Sequence, residues 1–177
     1  MRWCNAKSER AGLRPCYYVG VGRGVSDVYR VGNLDLTNAM VDWEADGYRL
    51  PTEAEWEKAA RGGLEGSKFP NGNTLPRSEA NHSFDNVAPK PVKSYPPNGF
   101  GLYEMAGNVW EWVWDWYAAD LSSFTDDPHG PDNGERRVIR GGGFSGSPDS
   151  CGVAARVSSR GEVSVETGGF RVARRSR

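Results

Sequence analysis

The segment with the most potential for chemistry runs from residue 96 to residue 112 and joins a glycine-rich turn to a row of tryptophans. Its acidic side chains are Glu104 and Glu111, and the backbone carbonyls of Gly107 and Val109 come between them in sequence. Hard cations such as Ca²⁺ are bound by carboxylate and carbonyl oxygens, and glycine lets a loop turn its carbonyls inward. These four residues therefore form a candidate calcium site. A plain turn with an outward-facing glutamate is the alternative that the residue types leave open.

A second set of candidate metal ligands lies in the long segment from residue 62 to residue 90. This segment is rich in Gly, Asn, Pro and Ser and has few apolar residues to bury, so something other than a core must order it. Asn81 and Asp85 are candidate oxygen ligands, and His82, which follows Asn81, completes the candidate set. An iron centre of two histidines and a carboxylate would need both His82 and His129, which share no metal-binding spacing. Two exposed loop histidines are the simpler interpretation.

The clearest predicted helix covers residues 51–63 and would hold the loops in place from one side. Thr52 can cap its free amides, Glu55 completes the capping box, and Gly62 supplies a left-handed stop. Trp56 begins a stripe of residues that would face the core. The role of this helix is structural.

Four tryptophans at every second position, from Trp110 to Trp116, predict a strand, because side chains alternate between the two faces of a sheet. We expect most of the indoles to lie in the core, and an aromatic wall for ligands is the alternative. The other expected elements are short: a helix over residues 2–11, a hairpin formed by 16–21 and 28–31, and strands at 91–95, 138–140, 152–156 and 170–173.

Three motifs, in this order, resemble the sulfatase-modifying-factor family, which includes the formylglycine-generating enzymes. They are Tyr-Arg-Leu-Pro-Thr-Glu-Ala-Glu-Trp-Glu at residues 48–57, the segment 96–112, and Gly-Gly-Phe-Arg-Val-Ala-Arg at 168–174. The resemblance implies one α+β domain over residues 1–177 with a C-type-lectin-like fold, many ordered loops, short antiparallel strands and few helices. It also implies structural Ca²⁺, with a second calcium site where Asn81 matches the family's Ala-Asn motif.

The same resemblance implies that the usual N-terminal part of the family is missing from this sequence. The absence of a first strand would leave the closing strand near Phe170 partly unpaired. Because an unpaired sheet edge can pair with another chain, we expect possible self-association.

Formylglycine-generating enzymes hold copper(I) with two active-site cysteines, since a soft cuprous ion prefers paired thiolates. Aligning this sequence on its double glycine puts Gly146 at the position of the first cysteine and Cys151 at the position of the second. One thiolate cannot form the pair. The resemblance therefore implies a non-catalytic binding module. The alternative is a formylglycine-generating enzyme or related metal-dependent oxidase, with Cys151 as its catalytic candidate and copper as its cofactor.

The stretch from Gly143 to Thr167 also resembles the variable region of proteins diversified by retroelements, which use the same fold. Such proteins present changeable side chains on a rigid scaffold, which lowers the ordering cost of binding. The candidate contact residues are Trp110, Phe144, Ser145, Ser147, Asp149, Ser150, Val157, Ser158 and Arg160. The expected partner is a protein or a small polar ligand, and an ordinary exposed loop is the alternative.

Composition and charge indicate one domain and give no sign of a nucleic acid or membrane partner. The chain has 177 residues, 37% of them hydrophobic, and a formal net charge of −1. Arginines crowd its final stretch, but no aromatic residues are interleaved with them as a nucleic-acid site requires. Its three cysteines form no disulfide framework, so we expect free buried thiols in a reducing compartment. A bond between Cys4 and Cys16 in an exported chain, with Cys151 free, is the alternative. With no signal peptide in this sequence, a cytoplasmic location is the default expectation.

Overall fold

The computed structural model describes residues 1–121, 128–160 and 167–175, in which short regular elements alternate with long loops. The helices are α1 (Arg2–Arg10) and α2 (Glu53–Arg61), and the strands are β1 (Trp110–Trp116), β2 (Arg137–Arg140), β3 (Val157–Ser159) and β4 (Gly168–Phe170). Three 3₁₀ turns lie at Val25–Asp27, Asn38–Met40 and Pro148–Cys151. The fold class is α+β with few helices, as predicted. Within these described ranges, no helix is long and apolar enough to span a membrane.

The four strands form one sheet in the order β3-β2-β1-β4. β2 runs antiparallel to both β1 and β3, whereas β4 runs parallel to β1. The parallel pair differs from the expected antiparallel strands, and β3 and β4 lie at opposite edges of the sheet. The β1–β2 register shifts between Trp112 and Trp116, and such a bulge bends a strand and re-aims its side chains.

The predicted features of α2 are confirmed. Thr52 Oγ1 accepts a hydrogen bond of 3.2 Å from the Glu55 backbone N–H, and the Glu55 carboxylate accepts one of 2.9 Å from the Thr52 N–H. Gly62 ends the helix at φ 58°, in the left-handed region. Trp56 is fully buried and anchors the helix to the sheet.

Two main clusters of buried side chains lie on either side of β1. One packs around Trp114, which stacks on Tyr17 with ring centroids 5.6 Å apart, and the other contains Trp56 and Val113. Both faces of β1 are therefore covered. Trp114 and Trp116 are buried, and Trp110 and Trp112 are half-buried.

Several predicted strands are wrong. Residues 91–95 form turns, the third strand lies at Val157–Ser159 instead of 152–156, and the expected hairpin is reduced to a single bridge between Tyr18 and Val28. Two backbone hydrogen bonds join the segments, from Tyr29 N–H to Tyr17 O at 3.0 Å and from Val19 N–H to Asp27 O at 2.7 Å, and Asn5 adds side-chain bonds. Its amide donates to the carbonyls of Tyr17 and Tyr29 at 2.8 and 3.1 Å and accepts from the N–H groups of Cys16 and Tyr17.

Two arginines of the final stretch form ion pairs inside the fold. Arg140 and Arg156 pair with glutamates of α2: Arg140 with Glu57 at 2.6 Å, and Arg156 with Glu53 at 2.6 Å. Arg140 is fully buried, and its guanidinium also donates to two backbone carbonyls. These contacts tie β2 and the segment before β3 to α2, so this cluster of positive charge is a structural feature.

Candidate functional site

The turn before β1 is sharply curled. Glu104, Gly107 and Asn108 all have positive φ, at 50°, 73° and 67°. A Cβ at Gly107 would lie 2.4 Å from the carbonyl oxygen of Asn81, so only glycine fits there. The Gly107 N–H donates to Gly141 O at 2.6 Å. The turn is thus held between the loop around residue 81 and the end of β2.

The predicted calcium ligands of this turn lie together. A cleft of about 400 Å³ is lined by Glu104, Gly107, Val109 and Glu111, which we call the turn site. Glu104 Oε2 accepts a hydrogen bond of 2.9 Å from the Lys93 backbone N–H, but its Oε1 is buried and has no partner. A buried carboxylate oxygen without a partner is unfavourable unless a cation or donor reaches it. This oxygen of Glu104 is therefore available to a cation.

Glu111 already has a strong partner. Arg171 donates to both of its carboxylate oxygens at 2.6 Å, and Trp56 Nε1 donates to Oε2 at 2.6 Å. Three of the roughly four lone-pair positions of a carboxylate are thus used, which leaves one on Oε1. Arg171 Nη2 also donates to the carbonyls of Tyr103 and Glu104 at 3.2 Å. Arg171 therefore orders the turn itself, a role that sequence reasoning missed.

The residues of the second predicted calcium site have separate partners. Asn81 is buried, and its Oδ1 accepts from Asn86 Nδ2 at 2.8 Å. The Asp85 side chain is 85% exposed, and the nearest cation to it is Arg77 at 3.5 Å. In the described part of the chain, no three His, Cys, Asp or Glu side chains cluster so that they could hold a metal. The second calcium site, with Asn81, His82 and Asp85 as its ligands, stays a prediction.

Neither histidine is the exposed loop residue that we expected. His82 is buried, with Nε2 2.9 Å from the carbonyl oxygen of Leu75 and Nδ1 without a partner. His129 is half-buried and stacks on Trp43 with ring centroids 3.7 Å apart. Both rings fill space between loops, which their sequence context did not reveal.

Cys151 is fully buried beside Ala80 and Ala106, and burial raises the pKa of its thiol. Cys4 and Cys16 belong to the other core cluster, around Trp114, and burial raises the pKa of Cys16 to about 12. All three thiols are free, as predicted. The structure does not bring a second cysteine into the cluster that holds Cys151.

The segment from Phe144 to Ser150, which we call the binding loop, has an anchored backbone. The Phe144 N–H donates to Asn108 O at 2.8 Å, and Phe144 O accepts from the Ser83 N–H at 2.9 Å. Ser147 O accepts from both the N–H and the hydroxyl of Ser150, at 3.1 and 2.7 Å. Ser145 and Asp149 are exposed at the surface of this loop. Exposed side chains thus project from a fixed backbone.

The remaining predicted contact residues lie in β1, in β3 and just after β3. Trp110 lies against the start of the binding loop, since a Cβ on Gly143 would be 3.1 Å from its indole nitrogen. Val157 and Ser158 pair with Ile139 and Val138 of β2, so β3 leads away from that loop. Arg160 lies past the far end of β3, 4.0 Å from Glu135. Trp110 and the binding loop therefore share a surface that does not include Arg160, and residues 161–166 are outside the described part of the chain.

Asn108 links these surfaces by hydrogen bonds, a role that the sequence analysis missed. Its Oδ1 accepts from the Lys90 N–H at 2.8 Å, and its Nδ2 donates to Lys90 O at 3.2 Å. Its own N–H donates to Asn81 O at 2.8 Å. The available signal was the Gly-Asn pair, because asparagine tolerates the left-handed conformation better than other non-glycine residues.

A buried carboxyl, Asp115, faces the start of α2. Its side chain accepts a hydrogen bond of 2.6 Å from the Glu53 backbone N–H. Burial, reinforced by the nearby Glu53 carboxylate, raises the pKa of Asp115 to about 7. Because an unfolded aspartate has a pKa of about 3.9, the folded state holds a proton that the unfolded state releases between about pH 4 and pH 7. The stability that Asp115 contributes is therefore lost as the pH rises through this window.

Replacing Asp115 with asparagine keeps an acceptor for the Glu53 N–H and removes this loss. At pH 8 the free energy of unfolding should rise by about 2–4 kcal/mol relative to the parent protein, with little gain at pH 4. Urea denaturation of both proteins at the two pH values measures this change in the free energy of unfolding. The exposed Asp132, changed to asparagine, is the control and should leave the pH dependence unchanged. An equal effect of Asp115→Asn at both pH values would contradict the assignment.

Comparison with known proteins finds relatives along nearly the whole chain. The sulfatase-modifying factor enzyme 1-like domain matches residues 1–176. A formylglycine-generating enzyme of Thermomonospora curvata is 42% identical over 180 residues, covering 87% of this chain and 59% of that protein. One of Streptomyces coelicolor is 44% identical over 171 residues, covering 86% of this chain and 54% of that protein. The chain thus spans little more than half the length of these relatives.

Among solved structures, Treponema denticola variable protein 1 has a similar fold. It superposes with a TM-score of 0.83 at 38% identity, covering 99% of this chain and 67% of that one. This chain and that variable protein therefore share one fold.

Proposed function

Because the chain belongs to the sulfatase-modifying factor enzyme 1-like domain family, we propose that it is a binding module that keeps the scaffold of the family without oxidase chemistry. The observation that carries this proposal is the state of Cys151. Its thiol is fully buried and free, and the other two cysteines belong to another core cluster. Copper(I) chemistry needs two thiolates at one centre, and burial favours the protonated thiol.

The proposed recognition surface consists of Trp110 and the binding loop. Two backbone hydrogen bonds at Phe144 and the internal bonds of Ser147 and Ser150 fix the loop before any ligand arrives. A preorganised loop loses little conformational entropy on binding. The exposed hydroxyl and carboxylate of Ser145 and Asp149 suit a protein or a small polar ligand. The likeness to a solved variable protein supports a display role and the proposal that residues of this stretch are diversified.

Formylglycine generation is the alternative function. It is favoured by two relatives of that name, at 42% and 44% identity, which cover more than four fifths of this chain. The alternative requires a second sulfur ligand near Cys151.

A copper titration separates the two functions. We expect Cu(I) to bind no more tightly than to a single thiol, and we expect no conversion of a cysteine-containing sulfatase peptide to formylglycine. A formylglycine-generating enzyme assayed in parallel is the positive control. Two-thiolate copper binding that disappears in Cys151→Ser, together with peptide turnover, would replace the binding-module proposal with the enzyme.

We also propose that Ca²⁺ binds at the turn site and fixes the loop before β1. Glu104 Oε1, the carbonyls of Gly107 and Val109 and the remaining lone pair of Glu111 would hold it, and its charge would satisfy the buried Glu104 oxygen. Such a cation has a structural role and supplies no chemistry to a substrate.

Chelation should therefore lower the melting temperature. With free Ca²⁺ at about 100 times its dissociation constant, binding adds about 2.7 kcal/mol, which corresponds to about 5–10 °C for a domain of this size. Differential scanning fluorimetry with EDTA and then excess Ca²⁺ measures this shift. Glu104→Gln should remove most of the response, whereas the exposed Glu65→Gln should keep it. A melting temperature that EDTA leaves unchanged rules the site out.

A further inference from the structure

A third surface of the molecule has the features of a ligand site. A cleft of about 550 Å³ opens between the start of α1, the loop after Tyr29 and the middle of β1. We propose that this cleft, which we call the tryptophan cleft, binds a small carboxylate that carries a ring. Except for Phe170, its lining residues differ from those of the turn site, and none belongs to the binding loop, so it is independent of the proposed function.

The walls of the tryptophan cleft are aromatic. Trp112 and Trp116 of β1 both line it, and Phe170 of β4 and Tyr29 complete the wall. The volume lies in the range of small-molecule sites, which are typically apolar with a few convergent polar groups. Indole and phenyl faces pack well against a flat or cyclic group. Trp116 is 6% exposed, and its Nε1 is buried with no hydrogen-bond partner.

The floor of the cleft holds a positive charge without a carboxylate partner. Arg137 is 4% exposed, and its guanidinium lies 3.8 Å from the centre of the Trp116 ring. It donates to the carbonyls of Trp114 and Leu36, the second at 3.0 Å. Of the carboxylates that the structure describes, none is within ion-pair distance of it, and Asp35 and Asp115 act on it only through space. Burial lowers the pKa of Arg137 to about 10, which reflects this poor compensation.

An anion in the cleft would supply the missing counter-charge. A buried charge is costly unless it is paired. A ligand carboxylate in the cleft would form an ion pair with Arg137. At the rim, the exposed residues Arg2 and Asp35 have opposite effects on an anion, the first attractive and the second repulsive. The ring packs on the indoles and the carboxylate faces Arg137. Aromatic acids and sugar acids both combine a ring with a carboxylate.

The test uses benzoate, glucuronate and benzamide as probes on the full chain. The indole N–H signals of ¹⁵N-labelled protein are followed by NMR while each probe is added. We expect the Trp112 and Trp116 signals to shift with benzoate or glucuronate, and the acid that does so identifies the source. Benzamide, which keeps the ring and lacks the charge, should bind at least about tenfold more weakly. No shift with either acid, or equal binding of benzoate and benzamide, overturns the proposal.

Several variants are used, so that the proposal can still be tested if one of them impairs folding. Trp112→Ala should weaken binding about tenfold, whereas Trp110→Ala, on the same strand and also half-buried but outside this cleft, should not change it. Asp35→Asn, at the exposed rim, should tighten binding about threefold by removing a repelling charge. Unchanged affinity in both Trp112→Ala and Asp35→Asn would refute the site. Because Trp110 belongs to the proposed recognition surface, its variant tests that surface separately.

Discussion

Replacing Glu111 with alanine should lower the free energy of unfolding by about 3–5 kcal/mol, the usual cost of removing one partner from a buried ion pair. The side chain is 9% exposed and accepts three hydrogen bonds of 2.6 Å, two from Arg171 and one from Trp56. Alanine would leave the Arg171 guanidinium without its carboxylate and the buried Trp56 Nε1 without an acceptor. Urea denaturation at pH 7 in excess EDTA measures the loss with any calcium contribution removed.

Two comparisons show whether the effect comes from the buried pair. Glu9→Ala breaks the ion pair of Glu9 with Arg30, in which both side chains are more than a third exposed, and should cost less than about 1 kcal/mol. In the double variant Glu111→Leu with Arg171→Met, both charges are gone, so much of the loss should be recovered. A loss at Glu111 no larger than that at Glu9 would mean that the pair contributes little to stability.

Asn98→Ala should cost about 3–4 kcal/mol, because one amide makes four hydrogen bonds at about 1 kcal/mol each. Its Nδ2 donates to the carbonyls of Ala59 and Ala60 at the end of α2, at 2.7 and 3.2 Å. Its Oδ1 accepts from the N–H groups of Phe100 and Leu102 at 3.0 and 3.1 Å. Removing the amide therefore releases both the helix end and the glycine turn before β1.

Chemical denaturation gives the total loss, and hydrogen exchange locates it. Amides of the last turn of α2 and of residues 99–102 should lose protection first. Asn71→Ala is the matched control, because Asn71 is exposed, and it should change stability by no more than about 0.5 kcal/mol. If the Asn98 and Asn71 variants are equally stable, amide bonding does not hold this turn.

Both predictions concern how a chain rich in glycine stays ordered. We expected bound metal and tryptophans to fix the loops, and the structure adds buried amides that bond to distant backbone groups. Asn5, Asn98 and Asn108 each use both amide ends on backbone partners. Calcium at the turn site would act on a loop that is already largely held. A shift of the melting temperature by about 5–10 °C on chelation, without loss of the fold, is consistent with this arrangement.

The sequence alone determined the elements whose signals are local. The capping box of Thr52 and Glu55, the stop at Gly62 and the period-two tryptophans predicted α2 and β1, because each signal spans only a few residues. The three sequence motifs also indicated the family and the α+β class. The number and spacing of the cysteines indicated free thiols. The four turn-site ligands could be grouped from sequence because they lie within eight residues of one another.

Only the tertiary structure decided which groups meet across the chain. Arg171 lies 60 residues from Glu111, and Arg156 lies 103 residues from Glu53, so no local pattern could pair them. The same holds for the burial of His82 and for the parallel pairing of β4 with β1. The tryptophan cleft brings Trp112 and Trp116 of β1 together with Arg137 of β2 and Tyr29, which are distant in sequence. Such sites depend on how remote segments pack, because packing determines which buried charges and amides find partners.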